Sequence, residues 1–147
     1  MKKSIVVATI TIALALLGGV LMFAQAPKPL NAAKVQDSKR AVVWTSGDPE
    51  VAHRMCLMYC HAAMKQRWFD HVVLIVWGPS ACLLAADKDL QAKVKSMMED
   101  GVQVQACVAC ADSYGVSERL REMKIEVKGM GPPLTEMLKQ GWKVLTF

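Results

Sequence analysis

"HVVLIVWGPS" (residues 71–80) is the stretch on which the fold turns. From Val72 to Trp77 it never alternates with polar residues. A strand with one wet face alternates, whereas a continuous β-branched run suits a strand covered on both faces, as in a parallel sheet. Gly78-Pro79 closes the run and Ser80 can open a helix. "RAVVWTS" (residues 40–46) has the same character and is closed by Gly47-Asp48-Pro49.

Working outward from these two runs, three more strands follow: "VQVQACV" (102–108), "KIEVKGM" (124–130) and "WKVLTF" (142–147). Helices are predicted between them. Asp48 is placed as an N-cap with Pro49 at the first helical position, and Val51, Met55, Met58 and Ala62 form a core-facing stripe through about residue 67. Ser80 and Asp87 can each cap a helix, and Leu90, Val94, Met97 and Met98 form a stripe ended by Gly101. Val116, Leu120 and Met123 mark a short helix, and Pro132-Pro133 opens another that Gly141 stops. Strands alternating with helices imply right-handed crossovers. The expected class is α/β, a three-layer α/β/α arrangement with a five-stranded, mostly parallel sheet.

In such a sheet every strand ends on one edge, and ligands bind there. That edge receives residues 47–49, residues 78–80, Cys82, Cys107 to Cys110, residues 129–131 and Phe147. Cys107 and Cys110 are the candidate catalytic residues. A Cys-x-x-Cys pair between a strand and a helix can trade electrons, handle sulfur, close a disulfide or hold a metal. Asp112-Ser113 are read as opening the next helix, whose N-terminal dipole would favour thiolate.

The other cysteines differ. Cys56 and Cys60 lie four apart on one helix, with β-carbons about 6 Å apart, too far for an easy disulfide. They read as small apolar packing residues, with a soft-metal grip beside His53 as the alternative. Cys82 has no motif partner, and a disulfide to the rim pair is the less favoured reading. His53, His61 and His71 read as surface or satisfied side chains. Ten methionines raise copper(I), but no Met-rich repeat supports it. No cofactor is called for.

Lys2 and Lys3 precede an apolar run from Ile5 to Phe23, the pattern of an export signal, and 24–26 (Ala-Gln-Ala) suits cleavage. The run also approaches the roughly 18–20 residues that span a bilayer. Residues 1–26 are therefore a signal peptide or membrane anchor, 27–38 a linker, and 39–147 the domain. Both readings place the domain outside the cytoplasm, periplasmic or extracytoplasmic and membrane-anchored. Without the two lysines the formal net charge of +5 drops by two. Basic runs interleaved with aromatics are missing too, so nucleic acid is excluded as a partner. Five cysteines in an oxidising compartment leave one unpaired.

The segments "VVWTSGDPEVA", "LIVWGPSACLLA", "VQVQACVACADSYGV" and "IEVKGMGPPLTEMLKQGWKVLTF" together resemble the DsrE/DsrF-like proteins, the group that includes the DsrE and TusD sulfur carriers. The resemblance covers nearly all of residues 40–147. It implies a sulfur-relay protein that accepts sulfur on a cysteine as a persulfide and passes it to a partner protein, and an assembly as a homotrimer or homohexamer. The family's cysteine after the third strand matches Cys107, and Cys110 matches a second cysteine present in some branches. The chain departs from the family in its export or anchor segment and in Cys56, Cys60 and Cys82. A second reading is a metal- or small-ligand-binding module using Cys56, Cys60, Cys107 and Cys110 without catalysis. A third is an interaction protein with inert thiols.

Overall fold

The computed structural model describes residues 38–147. The export or anchor segment and the linker through residue 37 lie outside the described residues. Among the described residues, no helix is long and apolar enough to cross a membrane.

Five strands form one sheet: β1 (Lys39–Trp44), β2 (His71–Val76), β3 (Gln103–Cys107), β4 (Glu126–Lys128) and β5 (Lys143–Thr146). Their order is β4-β3-β2-β1-β5 and every pair is parallel. The expectation of a mostly parallel sheet thus becomes an entirely parallel one. The continuous apolar runs explain the centre: β1 and β2 pair over six residues, and Ala41 to Trp44 and Val72 to Val76 are buried.

Strand order decides which face each helix covers. β1 to β4 step in one direction, and right-handed crossovers then put all the intervening helices on one face. These are α1 (Pro49–Val51), a π-helical turn (Ala52–Cys56), α2 (Leu57–Lys65), α3 (Pro79–Ala86), α4 (Lys88–Glu99), α5 (Val108–Ser113) and α6 (Ser117–Glu122). Their buried side chains join Val42, Trp44, Leu74, Val76, Val104 and Ala106 in the larger core. From β4 the chain returns past the whole sheet to β5, so the same handedness carries α7 (Gly131–Lys139) to the other face. There Leu134 and Met137 pack on a smaller core of Ala41, Val43, Val73, Ile75, Cys107 and Met130. The three layers are present, with one of the two helical layers reduced to a single helix.

Local details depart from expectation in two places, at the Met55–Met58 stripe and at Ser80. Met55 and Met58 are 53% and 57% exposed, while Ala52, Cys56, Leu57, Cys60 and Ala63 are buried. The π-helical turn adds a residue to the spiral and turns the expected stripe away from the sheet. Small side chains then face the large Trp44 ring within the same core. The segment after β2 forms two helices. Asp87 caps the second, its carboxylate accepting from the amides of Asp89 (2.9 Å) and Leu90 (3.0 Å). Ser80 caps nothing and is fully buried instead. Its hydroxyl accepts from the Trp77 amide (3.0 Å) and donates to the Trp44 carbonyl (2.5 Å), tying the ends of β1 and β2 together.

Ser80→Ala removes that tie while leaving the volume nearly unchanged. The expected loss is about 1–2 kcal/mol of unfolding free energy, read as a lower urea midpoint at unchanged slope.

Candidate functional site

The C-terminal edge of the sheet is built as the parallel order requires. Asp48 caps α1, accepting from the amides of Glu50 (2.7 Å) and Val51 (3.3 Å). The Phe147 carbonyl accepts from the Thr45 amide (2.7 Å) and hydroxyl (2.7 Å), so the last residue lies against the loop after β1. Gly78 turns the chain out of β2 at φ +70°, a conformation that side-chain-bearing residues rarely adopt.

Cys107 is the last residue of β3 and the N-cap of α5. The helix therefore begins one residue after Cys107, earlier than the sequence suggests. Asp112 and Ser113 close α5, and do not open a helix. The Ser113 hydroxyl donates to the Cys110 carbonyl (2.8 Å), and the Asp112 carboxylate accepts from Ser117 at the start of α6. Alternation along β3 sends Val104 and Ala106 into the larger core and Cys107 to the opposite face. Cys107 is 6% exposed and shares its apolar cluster with Met130, Trp77 and Cys110. Met130, the N-cap of α7, is 1% exposed.

Cys110 is half-buried in the first turn of α5, three residues on from Cys107. The two thiols are neighbours in the same apolar cluster, and the Gly78 backbone N–H acts on the Cys110 sulfur. Burial pushes the Cys110 thiol above its ordinary range. The Gly78 amide pulls the other way, and the adjacent Cys107 sulfur adds to the rise. For Cys110, burial thus outweighs the thiolate-favouring effect expected of the helix.

Cys56 and Cys60 belong to the larger core, on the other side of the sheet from Cys107 and Cys110. Burial pushes both thiols up to about 12, and for Cys56 the Cys60 charge adds to it. They are packing residues, and the sheet separates them from the rim pair. The four-cysteine ligand set is therefore not assembled. Among the described residues, no three His, Cys, Asp or Glu side chains are grouped to hold a metal ion. Cys82 stands exposed on α3 in neither apolar cluster. His61 is buried and satisfied: it contacts Asp100 through Nε2 (2.5 Å), and Nδ1 accepts from the Lys93 ammonium (2.9 Å). Sequence reasoning missed Trp77 and the Gly78 amide. The Gly-Pro break after a buried strand signalled a loop at the rim, but nothing in it indicated an amide aimed at a cysteine 32 positions later.

The model of the DsrE/DsrF-like family matches residues 39–147. A conserved protein of unknown function, BT1422 from Bacteroides thetaiotaomicron, is 33% identical with a TM-score of 0.72, covering 80% of this chain and 100% of its own. The ychN protein from E. coli is 18% identical with a TM-score of 0.61, over 75% of this chain and 99% of its own. MTH1491 from Methanobacterium thermoautotrophicum, also of unknown function, is 16% identical with a TM-score of 0.63, over 75% and 100%. The latter two likenesses concern the fold alone. No curated protein matches significantly.

The thiol environments order reactivity. In native protein treated with iodoacetamide, Cys82 is expected to be labelled first, with Cys56 and Cys60 labelled only after unfolding, as peptide mass mapping will read. The buried pair also sets an alkaline limit. Its folded values lie above the ordinary value near 9, so the unfolded chain ionises first. The stability contribution is intact below about pH 9 and falls as pH rises toward about 12, seen as urea midpoints that decline between pH 8 and pH 10.5.

Proposed function

The chain belongs to the DsrE/DsrF-like family, and from that premise we propose that it is a sulfur-relay protein carrying persulfide sulfur on Cys107. The observation that carries this reading is the pairing of Cys107 and Cys110 at the C-terminal edge. One thiol ends a strand inside an apolar cluster, and the other stands beside it in the first turn of the next helix.

The chemistry balances with thiols alone. The Cys107 thiolate attacks the outer sulfur of a donor persulfide; the new S–S bond forms on Cys107, and the donor leaves as its thiolate. An acceptor protein's thiolate then attacks the outer sulfur and Cys107 leaves. If no acceptor arrives, the Cys110 thiolate attacks the inner sulfur. A Cys107–Cys110 disulfide forms, and the outer sulfur departs reduced as hydrosulfide. The raised Cys110 thiol makes this last step slow near neutral pH, because only the thiolate attacks. The arrangement favours holding sulfur over releasing it. Water is kept from the persulfide by Met130, Trp77 and α7.

We extend the reading to place and assembly. Residues 1–26 act as a signal peptide or anchor, and the domain works outside the cytoplasm with sulfur donor and acceptor proteins. It works as a homotrimer or homohexamer.

Intact-mass measurement tests the carrier. After incubation with a persulfide donor, the wild type is expected to gain about 32 Da, one sulfur atom. Cys107→Ser should lose the adduct, and Cys110→Ser should keep it longer. An adduct that survives in Cys107→Ser would overturn the assignment.

A further inference from the structure

The N-terminal edge of the sheet, opposite the cysteines, carries a second assembly that the relay does not use. Arg40 of β1 and Lys143 of β5 are register partners on adjacent parallel strands. Their side chains therefore leave the same face about 4.8 Å apart in the backbone. Like charges directly opposite destabilise a sheet unless something offsets them. Neither residue forms an ion pair among the described residues. Asp70, the carboxylate of the neighbouring loop, is engaged by Ser38 through its amide (2.8 Å) and hydroxyl (3.4 Å).

What holds Arg40 is aromatic. Its guanidinium lies 4.4 Å from the Phe69 ring centroid and 5.7 Å from that of Tyr59. Such stacking fixes the plane of the group and leaves its donors unspent. Its Nε is buried with no hydrogen-bond partner. A cavity of about 560 Å³ opens at this point, lined by Lys39, Arg40, Lys143, Phe69, Ser38 and the Gln140-Gly141 turn. Among the described residues, no carboxylate lines it.

We propose that this cavity binds a tetrahedral oxyanion of the phosphate class. Arg40 supplies a planar fork of donors and Lys143 a mobile ammonium. A group with several anionic oxygens can engage both at once and relieve their repulsion. Two sources offer this chemistry, a soluble phosphate and the headgroup of an anionic phospholipid.

The full-length chain in nonionic detergent micelles is titrated with inorganic phosphate at constant ionic strength set by chloride, by calorimetry and by thermal unfolding. A parallel arm replaces phosphate with micelles doped with phosphatidylglycerol. The expected result is saturable binding in one arm, weakened about tenfold in Lys143→Gln. Lys143 is exposed, so this variant leaves the packing intact. Arg40→Lys keeps the charge and loses the fork, and it should weaken binding as well. Saturation with phosphate identifies a soluble ligand, and saturation only with doped micelles identifies the headgroup. No saturation in either arm, or wild-type affinity in both variants, overturns the proposal.

Discussion

β1 hydrogen-bonds in parallel to β2 on one side and to β5 on the other, and the rest of the molecule follows from that double pairing. Parallel neighbours need long crossovers, and crossovers take one hand. Because β2, β3 and β4 step away from β1 in one direction, their helices pile onto one face. Because β5 lies beyond β1 in the other direction, α7 alone crosses to the second face. The sheet thereby separates a large core from a small one. All strand ends gather on a single edge.

That separation sorts the cysteines by chemistry. Cys56 and Cys60 sink into the large core, where the cost of an uncompensated buried charge holds them protonated. Cys107 and Cys110 emerge at the edge under α7, where a loop amide from the neighbouring strand reaches sulfur. The cluster around them is apolar but thin, with one helix over it. The Cys107 side chain is thereby shielded from solvent yet lies close to the surface. At the far edge the same parallel register sets two cations side by side. One sheet geometry thus produces a thiol pair at one end and a cavity lined by cationic side chains at the other.

Much of this was legible in the residues. The unalternating runs at 40–46 and 71–77 announced strands buried on both faces, and Gly-Pro and Gly-Asp-Pro breaks placed their ends correctly. The capping roles of Asp48 and Asp87 were readable because a short carboxylate before a helical pattern has few other uses. The stripe of Val51, Met55, Met58 and Ala62 misled, because a π-helical turn changes the angular step and periodicity assumes a constant one. Asp112-Ser113 misled for a related reason. Both residue types favour helix starts and also serve helix ends, and only the position where β3 stops pairing with β4 shows which role applies.

The sequence by itself determined the strand–helix alternation, the parallel character of the sheet and the presence of Cys107 and Cys110 at a strand end. These depend on local patterns: continuous apolarity, turn residues and spacing. Only the tertiary structure decided that β5 returns beside β1, that Cys107 faces α7 while Cys56 and Cys60 face away, and that the Gly78 amide acts on Cys110. Those facts depend on pairing between residues far apart in the chain. Strand order and face are set by which distant surfaces bury each other, and no short stretch of residues carries that information.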